Sequence, residues 1–135
     1  MASALYPNFK ENCLTQADAV DFDTDTIKVS AVDLTADYTY SAAHTGKASV
    51  TSYSGTTDQT LGSKTMTNGA FDAANSTFTA VTQDAAKTVG ALVIWDDTTA
   101  TTITDMLICY IDGFTPVTPN GGDITVTWDT TIFSL

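Results

Sequence analysis

The sequence has no arginine, one glutamate and one histidine, and its five lysines are scattered along 135 residues. A nucleic-acid groove needs closely spaced cationic side chains to neutralise phosphates, so this shortage excludes nucleic acid as a partner. The 15 aspartates bring the net charge to −11, and an acidic chain is repelled by an anionic membrane surface. We therefore expect neither class of partner.

Long hydrophobic runs are also missing. The two longest, residues 91–95 and 106–111, are far shorter than the roughly 20 residues that a membrane-spanning helix needs. The first residues do not show the basic and apolar pattern of a secretion leader. We therefore expect no membrane span and no cleaved leader.

Cysteine is too scarce and too widely spaced to build a metal site. Cys13 and Cys109 lie 96 positions apart, and one histidine cannot complete a zinc site rich in imidazole. Two small buried side chains are the favoured interpretation of these cysteines, and a disulfide is the alternative. No glycine-rich phosphate loop occurs either, so we expect no metal and no cofactor.

The sequence shows no recognisable catalytic arrangement either. His44 lies in a loop-like AAHTG segment, where we expect it to face solvent, and the chain has no Gly-x-Ser-x-Gly elbow. A carboxylate pair for glycoside hydrolysis would need a deep pocket, which a small β domain with one glutamate is poorly suited to form. We expect that the protein is not an enzyme.

Threonine and aspartate dominate what is present. The 27 threonines favour strands and the aspartates favour turns, whereas glutamate, arginine and leucine, which favour helices, are scarce. A chain of this length buries about two-thirds of its surface, which is enough for one core. We therefore expect a single β domain over residues 1–135.

Hydrophobic patterns predict where the main strands lie. Residues 26–33 and 123–129 alternate apolar and polar side chains, as in half-buried strands. The continuous apolar runs over 89–95 and 106–111 predict central strands that are covered on both faces.

Weaker patterns complete the predicted fold. Residues 47–53, 59–67 and 76–82 are expected as further strands, and Asn68-Gly69 predicts a tight hairpin. About eight short strands indicate an all-β fold: a compact antiparallel β-sandwich or small barrel with one short N-terminal helix.

The predicted helix lies within residues 1–20 and has two to three turns. Pro7 suits its first turn, and we expect Phe9, Cys13 and Leu14 on one side of it. The rest of the chain offers no comparable helical pattern.

Asp21, Asp23 and Asp25 form a first acidic cluster. They alternate as in the first half of an EF-hand calcium loop, but Thr26 and Val32 replace the glycine and the final glutamate of that motif. A charged entrance to the following strand is therefore the favoured interpretation.

Asp96 and Asp97 form a second acidic cluster, which we expect at a loop tip. The sequence does not decide whether the two clusters meet in space. It also leaves open whether either of them binds calcium.

Tyr6, Tyr38, Tyr40 and Tyr53 lie in polar segments away from the predicted core. Exposed tyrosines provide a large contact area at a low entropic cost, so these four are candidate interface residues. The alternative is that their rings pack on the rim of the fold.

Seven segments share the pattern of one protein family: residues 4–11 (ALYPNFKE), 25–33 (DTIKVSAVD), 36–44 (ADYTYSAAH), 91–95 (ALVIW), 107–112 (LICYID), 116–129 (PVTPNGGDITVTWD) and 132–135 (IFSL). Together they resemble a family of small virion structural proteins of tailed bacteriophages. The segment 116–129 is the most specific, whereas residues 47–66 depart from the family's pattern.

The resemblance implies a capsid decoration or cement protein that binds the outside of the icosahedral head and stabilises it. It implies the major capsid protein as partner, a homo-oligomer on the particle with a trimer favoured, synthesis in the bacterial cytoplasm and a final location on the virion. It brings no catalytic residues. A tail or fibre component is the alternative, with a host-attachment role in which Tyr38, Tyr40 and Tyr53 would form a carbohydrate-binding platform.

The N-terminal segment adds Leu5 and Phe9 to the candidate interface. An amphipathic helix here has two destinations, the edge or end of its own sandwich or a groove on the capsid. Packing within the chain is favoured, because a small sandwich has an open edge or end to close.

Overall fold

The computed structural model describes residues 3–16, 19–98 and 104–135. Over these ranges the fold is mainly β, with ten strands in three antiparallel sheets and one α-helix. In chain order the elements are β1 (Ser3–Leu5), α1 (Pro7–Thr15), β2 (Ile27–Val32), β3 (Gln59–Thr60), β4 (Thr65–Thr67), β5 (Ala70–Asp72), β6 (Ser76–Phe78), β7 (Ala91–Asp96), β8 (Leu107–Ile111), β9 (Ile124–Val126) and β10 (Phe133–Ser134). No helix in the described ranges is long and apolar enough to cross a membrane.

The largest sheet has five strands in the order β1-β8-β7-β2-β3. Strands β7 and β8 are buried along their whole length, as the two continuous apolar runs predict. Strand β2 pairs with β7 over all six of its residues, and it is more buried than its alternating pattern predicts. The polar Ser30 is fully buried there because its Oγ accepts a hydrogen bond from Nε1 of Trp95 at 2.9 Å.

Two smaller antiparallel sheets accompany it, one in the order β10-β5-β4 and one a ribbon of β6 and β9. The predicted hairpin is confirmed: Asn68 and Gly69 join β4 to β5 with φ values of 51° and 80°. The sheets pack in a sandwich-like arrangement, and within the described residues none closes into a barrel. The all-β sandwich prediction is therefore confirmed.

The N-terminal segment packs on its own chain. Strand β1, which the sequence did not predict, pairs with β8, and α1 follows with Pro7 in its first turn as expected. Phe9 is fully buried against Phe22 and Phe133.

The predicted buried side of α1 is partly wrong. Cys13 is exposed and Leu14 is 87% exposed, whereas the polar Asn12 is buried with its amide near the sulfur of Met106. The pairing of β1 fixes how the helix meets the sheet, so that the side with Phe9 and Asn12 faces the core. Both cysteines are free thiols, and only Cys109 is the buried side chain that was expected.

The strand expected over residues 47–53 does not form. A 3₁₀ turn covers Lys47–Ser49 instead, closed by the Val50 N–H, which donates to the Lys47 carbonyl at 2.8 Å. The Lys47 ammonium donates to the carbonyl of Val50 and to the Ser52 hydroxyl, both at 3.1 Å. The segment then runs past the edge of β2, where the Tyr53 N–H donates to the carbonyl of Ala31 at 2.7 Å.

Candidate functional site

The candidate interface residues are for the most part inside the fold. Tyr6 and Phe9 are 0% exposed, Tyr38 is 3% exposed and Tyr53 is 1% exposed. Tyr6, Tyr38 and Tyr53 therefore do not form an accessible surface, and their rings pack within the chain, which is the alternative; Phe9 packs within the chain as favoured. Only Leu5 and Tyr40 are half-buried, at the margin of the core.

Tyr6 is buried because the pairing of β1 with β8 places it over the sheet, where its N–H donates to the carbonyl of Ile108 at 3.0 Å. Its hydroxyl lies 2.8 Å from that of Tyr38, and the Tyr38 hydroxyl lies 3.0 Å from Nδ1 of His44. These contacts form a hydrogen-bonded chain of three side chains. The expectation that His44 faces solvent is corrected, since His44 is half-buried at the end of this chain.

Two further tyrosines, Tyr40 and Tyr110, pack beside Tyr6 and Tyr38. The ring of Tyr40 lies between those of Tyr6 and Tyr110, at centroid distances of 5.3 and 5.0 Å. Burial, followed by the hydrogen bond to Tyr38, raises the pKa of Tyr6 far above its ordinary value. Burial also raises the pKa of Tyr110 to about 12. Both phenols are therefore neutral hydrogen-bonding groups at physiological pH, which suits a structural role.

Tyr53 fastens a distant loop. Its hydroxyl accepts a hydrogen bond from the backbone N–H of Asp84 at 2.9 Å, and the Asp84 carboxylate is bonded by the Ser54 hydroxyl and by Lys87. These contacts lower the pKa of Asp84, with the Ser54 bond as the largest cause. The Tyr53 hydroxyl thus helps to hold residues 53–54 against residues 84–87.

Carboxylates of the first acidic cluster accept hydrogen bonds from backbone N–H groups of their own turn. Oδ1 of Asp21 accepts from the N–H of Asp23 at 3.0 Å, and Oδ2 of Asp25 accepts from the N–H of Asp21 at 2.7 Å. The pKa of Asp21 is lowered mainly by a hydrogen bond from the Thr24 side chain. This local bonding agrees with a charged entrance to β2.

The two acidic clusters do meet. Asp97 lies beside β2, with its N–H bonded to the carbonyl of Thr26 and its carboxylate 2.6 Å from the Lys28 ammonium. Asp96 ends β7 and is 4% exposed, so the expected loop tip is wrong for this residue. Burial raises its pKa, and the nearby charges of Asp25 and Asp105 raise it further.

Within residues 3–16, 19–98 and 104–135, no group of three histidine, cysteine, aspartate or glutamate side chains is placed to hold a metal ion. Residues 99–103, which continue the loop expected after the second cluster, lie outside the described residues. The juxtaposition of Asp25 and Asp96 is therefore an electrostatic feature of the fold.

Asp33 is a buried carboxylate that sequence reasoning missed. It follows β2 directly, and its two oxygens accept backbone hydrogen bonds from Thr35, Ala36 and Thr88 at 2.8–2.9 Å. The bond from Ala36 is the largest of the causes that hold the pKa of Asp33 well below its usual range. The signal was the DLTA sequence, in which an aspartate is followed by residues that can turn back onto its side chain.

An apolar groove of about 250 Å³ was also missed. It is lined by β9 with its following residue, by the segment containing Phe114 and Val117, by Val89 and Leu92, and by Phe78 of β6. Residues 113–122 are rich in glycine and proline, and such a turn-rich segment gives no periodic signal that it lines a groove.

No protein-family model, curated protein or solved structure matches this chain.

Proposed function

We propose that this chain is a bacteriophage virion structural protein, and that it acts as a decoration or cement protein on the outside of the head. The proposal rests on the family resemblance of segments such as residues 116–129. The structural observation that supports it is the use of reactive side chains for packing. His44, Tyr6 and Asp33 are the groups best suited to chemistry, and all three are held in internal hydrogen bonds.

The charge distribution supports a partner that is less acidic than this chain. Lys28 lies 2.6 Å from Asp97, Lys47 lies 3.5 Å from Asp58, and Lys87 lies 2.9 Å from Asp37. Three of the five lysines are thus paired internally in a chain of net charge −11. Such a surface would repel packaged DNA and other virions, and would favour a capsid surface carrying cations.

The mechanism would be stabilisation by binding. A protein that buries surface across neighbouring capsid subunits adds binding free energy to the closed particle, and this must be overcome before the particle opens. The buried β core, with exposed strand threonines such as Thr60, Thr65 and Thr125, suits such a passive role.

The test is to add purified protein to empty capsids that lack it, and to measure co-sedimentation and the temperature at which the particles open. We expect saturable binding and an increase in that temperature, together with density on the head by electron microscopy. Density on the tail alone, or no binding to heads, would replace the proposal with the tail alternative.

Trimers on the particle are part of the proposal. Strand β1, at the end of the five-stranded sheet, offers backbone groups for association between copies. Image reconstruction of decorated heads should show copies in mutual contact around symmetry axes. Isolated copies, one on each capsid subunit, would contradict it.

The carbohydrate-binding form of the tail alternative loses its aromatic platform. Tyr38 and Tyr53 are buried, and Tyr40 is packed between two other tyrosine rings. A glycan array is the direct test: a specific hit that Tyr40→Ala abolishes would restore this alternative.

A further inference from the structure

The apolar groove runs along the edge of a strand. Ile124, Thr125, Val126 and Thr127 all border it, although consecutive residues of a strand point to opposite faces. A groove that reaches the strand's edge touches all four, and its lining also includes Phe78, the β6 partner of Ile124. This edge is open within the described residues, where β9 pairs with β6 alone.

The opposite wall is held in place by the core. Val117 and Val89 exchange two backbone hydrogen bonds, of 2.8 and 2.9 Å, so the wall is tied to the segment that enters β7. Leu92 below it is 3% exposed. The groove is therefore preformed, with a fixed wall facing an open strand edge.

Size and lining favour side chains of a peptide over a small molecule. The volume of about 250 Å³ lies below the roughly 300–1,000 Å³ of typical small-molecule pockets. All the lining residues are uncharged, and Phe114, Ile124 and Val126 remain half-buried while Val117 is 39% exposed. Apolar side chains entering the groove would cover surfaces that the chain itself leaves partly open.

Aspartates flank the lining segments in sequence. The exposed residues Asp112, Asp123 and Asp129 each lie within two positions of a lining residue. The nearest lysine in sequence, Lys87, is already paired with Asp37 and Asp84. A second copy of this chain would bring a further charge of −11 to these carboxylates, so the charges favour a cationic occupant.

We propose that this groove binds an extended segment of another protein, which adds as a strand to the open edge of β9. Alternate apolar side chains of the segment would fill the groove, and lysine or arginine side chains on either side of them would approach Asp123 and Asp129, which flank β9 in the chain. The proposal concerns this surface alone and does not depend on the partner being a capsid protein.

The test uses the full chain, isotopically labelled, and three capped peptides. The first alternates valine and threonine over five residues and has a lysine at each end. The second has glutamate at each end, and the third has proline in place of the central valine. We expect the lysine peptide to bind and to slow hydrogen exchange of the amides at 124–127, the glutamate peptide to bind about tenfold more weakly, and the proline peptide to give no protection.

A matched pair of variants locates the site. Val117→Lys places a cation in the groove, and Leu14→Lys makes the same change at a side chain that is exposed on α1. Only Val117→Lys should weaken binding of the lysine peptide, again by about tenfold or more. Because the three peptides are compared on the unaltered chain, the test remains decisive even if a variant folds poorly.

Four results would overturn the proposal. They are binding without protection of the β9 amides, equal binding of the lysine and glutamate peptides, no binding at millimolar peptide, and concentration-dependent self-association that Val117→Lys abolishes. The last result would assign the groove to a second copy of the chain.

Discussion

Oδ2 of Asp33 accepts a hydrogen bond from the backbone N–H of Thr88 at 2.8 Å, which joins two points 55 residues apart in the chain. Oδ1 of the same carboxylate accepts from the N–H groups of Thr35 and Ala36, each at 2.9 Å. One side chain thus shapes the turn after β2 and fastens that turn to the segment that leads into β7. A charged acceptor with several donors is a strong local constraint.

Asp33→Asn should lower the free energy of unfolding at pH 7 by roughly 1.5–3 kcal/mol, because the amide cannot accept on both sides and its NH₂ group opposes the Thr88 N–H. Urea denaturation measures this loss. Asp129→Asn is the matched control, because Asp129 is exposed and bonds only the N–H of the next residue, Thr130. Equal losses in both variants would contradict the role assigned to Asp33.

The same carboxylate makes stability depend on pH. Its folded-state pKa lies below the ordinary value of 3.8 for aspartate, so the native state binds fewer protons than the unfolded state in acid. The stabilisation is complete above about pH 5, and is lost as the pH falls below about 4 and the carboxylate becomes protonated. Asp33→Asn should therefore show a flatter stability profile between about pH 5 and pH 2 than the wild type.

Asp96 should behave in the opposite way. Its pKa is raised by burial, so the native state binds the proton more tightly, and stability falls as the pH rises through the folded-state pKa. Asp96→Asn keeps an oxygen for the Thr98 N–H but removes the charge near Asp25. We expect this variant to be at least as stable as the wild type at pH 7, with an advantage that shrinks towards pH 4 in thermal denaturation.

A destabilised Asp96→Asn variant would show that another group in the fold, or a bound cation, stabilises the buried Asp96 carboxylate. The direct check is calcium: a rise in the melting temperature of the wild type with calcium, absent in Asp96→Asn, would identify a cation where the two acidic clusters meet. Without such a rise, the two carboxylates remain an unfavourable pair that the fold tolerates.

The sequence predicted the elements whose signal is local. The apolar runs that form β7 and β8 and the Asn68-Gly69 hairpin were placed correctly, because each is determined by neighbouring side chains or by backbone conformation. Strand β1 was missed because it has only three residues and exists through its pairing with β8. The sequence also did not predict that β2 is buried on both faces, because that burial depends on contacts with segments distant in the chain.

The candidate site was predicted less well than the fold. Tyrosine in a polar segment is compatible with both surface and core, and the burial of Tyr6 and Tyr38 follows from a contact between residues 32 positions apart. The groove beside β9 is likewise formed by segments that carry no shared sequence signal. Such features depend on three-dimensional juxtaposition, which one sequence does not reveal.

The hydrogen bond between Tyr6 and Tyr38 can be isolated by a double-mutant cycle. Tyr6→Phe should lower the free energy of unfolding by about 1 kcal/mol, because a buried hydroxyl pair is lost while the packing is kept. Tyr38→Phe should cost more, since it also removes the contact with Nδ1 of His44. The double variant should lose less than the sum of the two; strict additivity would show that the two hydroxyls do not interact.

Gly69 should be intolerant of a side chain, whereas Gly62 should accept one. At Gly69 the φ value is +80° and an added Cβ would lie 3.4 Å from the carbonyl oxygen of Leu135. Gly69→Ala should therefore destabilise the protein by about 1–2 kcal/mol. Gly62→Ala meets nothing within 4 Å and should be neutral or slightly stabilising. Equal melting temperatures for the two variants would argue against the hairpin geometry.

The N-terminal segment should prove to be part of the core. Phe9→Ala removes a ring that is 0% exposed and packed against Phe22 and Phe133, and should lower the free energy of unfolding by about 3–5 kcal/mol. Leu14→Ala, at a side chain that is 87% exposed on the same helix, should change it by less than about 0.5 kcal/mol. Deleting residues 2–14 should lower the melting temperature further, because it also uncovers the edge of β8. If the truncated chain melted like the wild type and lost only capsid binding, the segment would be an anchor for a partner, and the contacts of Phe9 would contribute nothing to the stability of the fold.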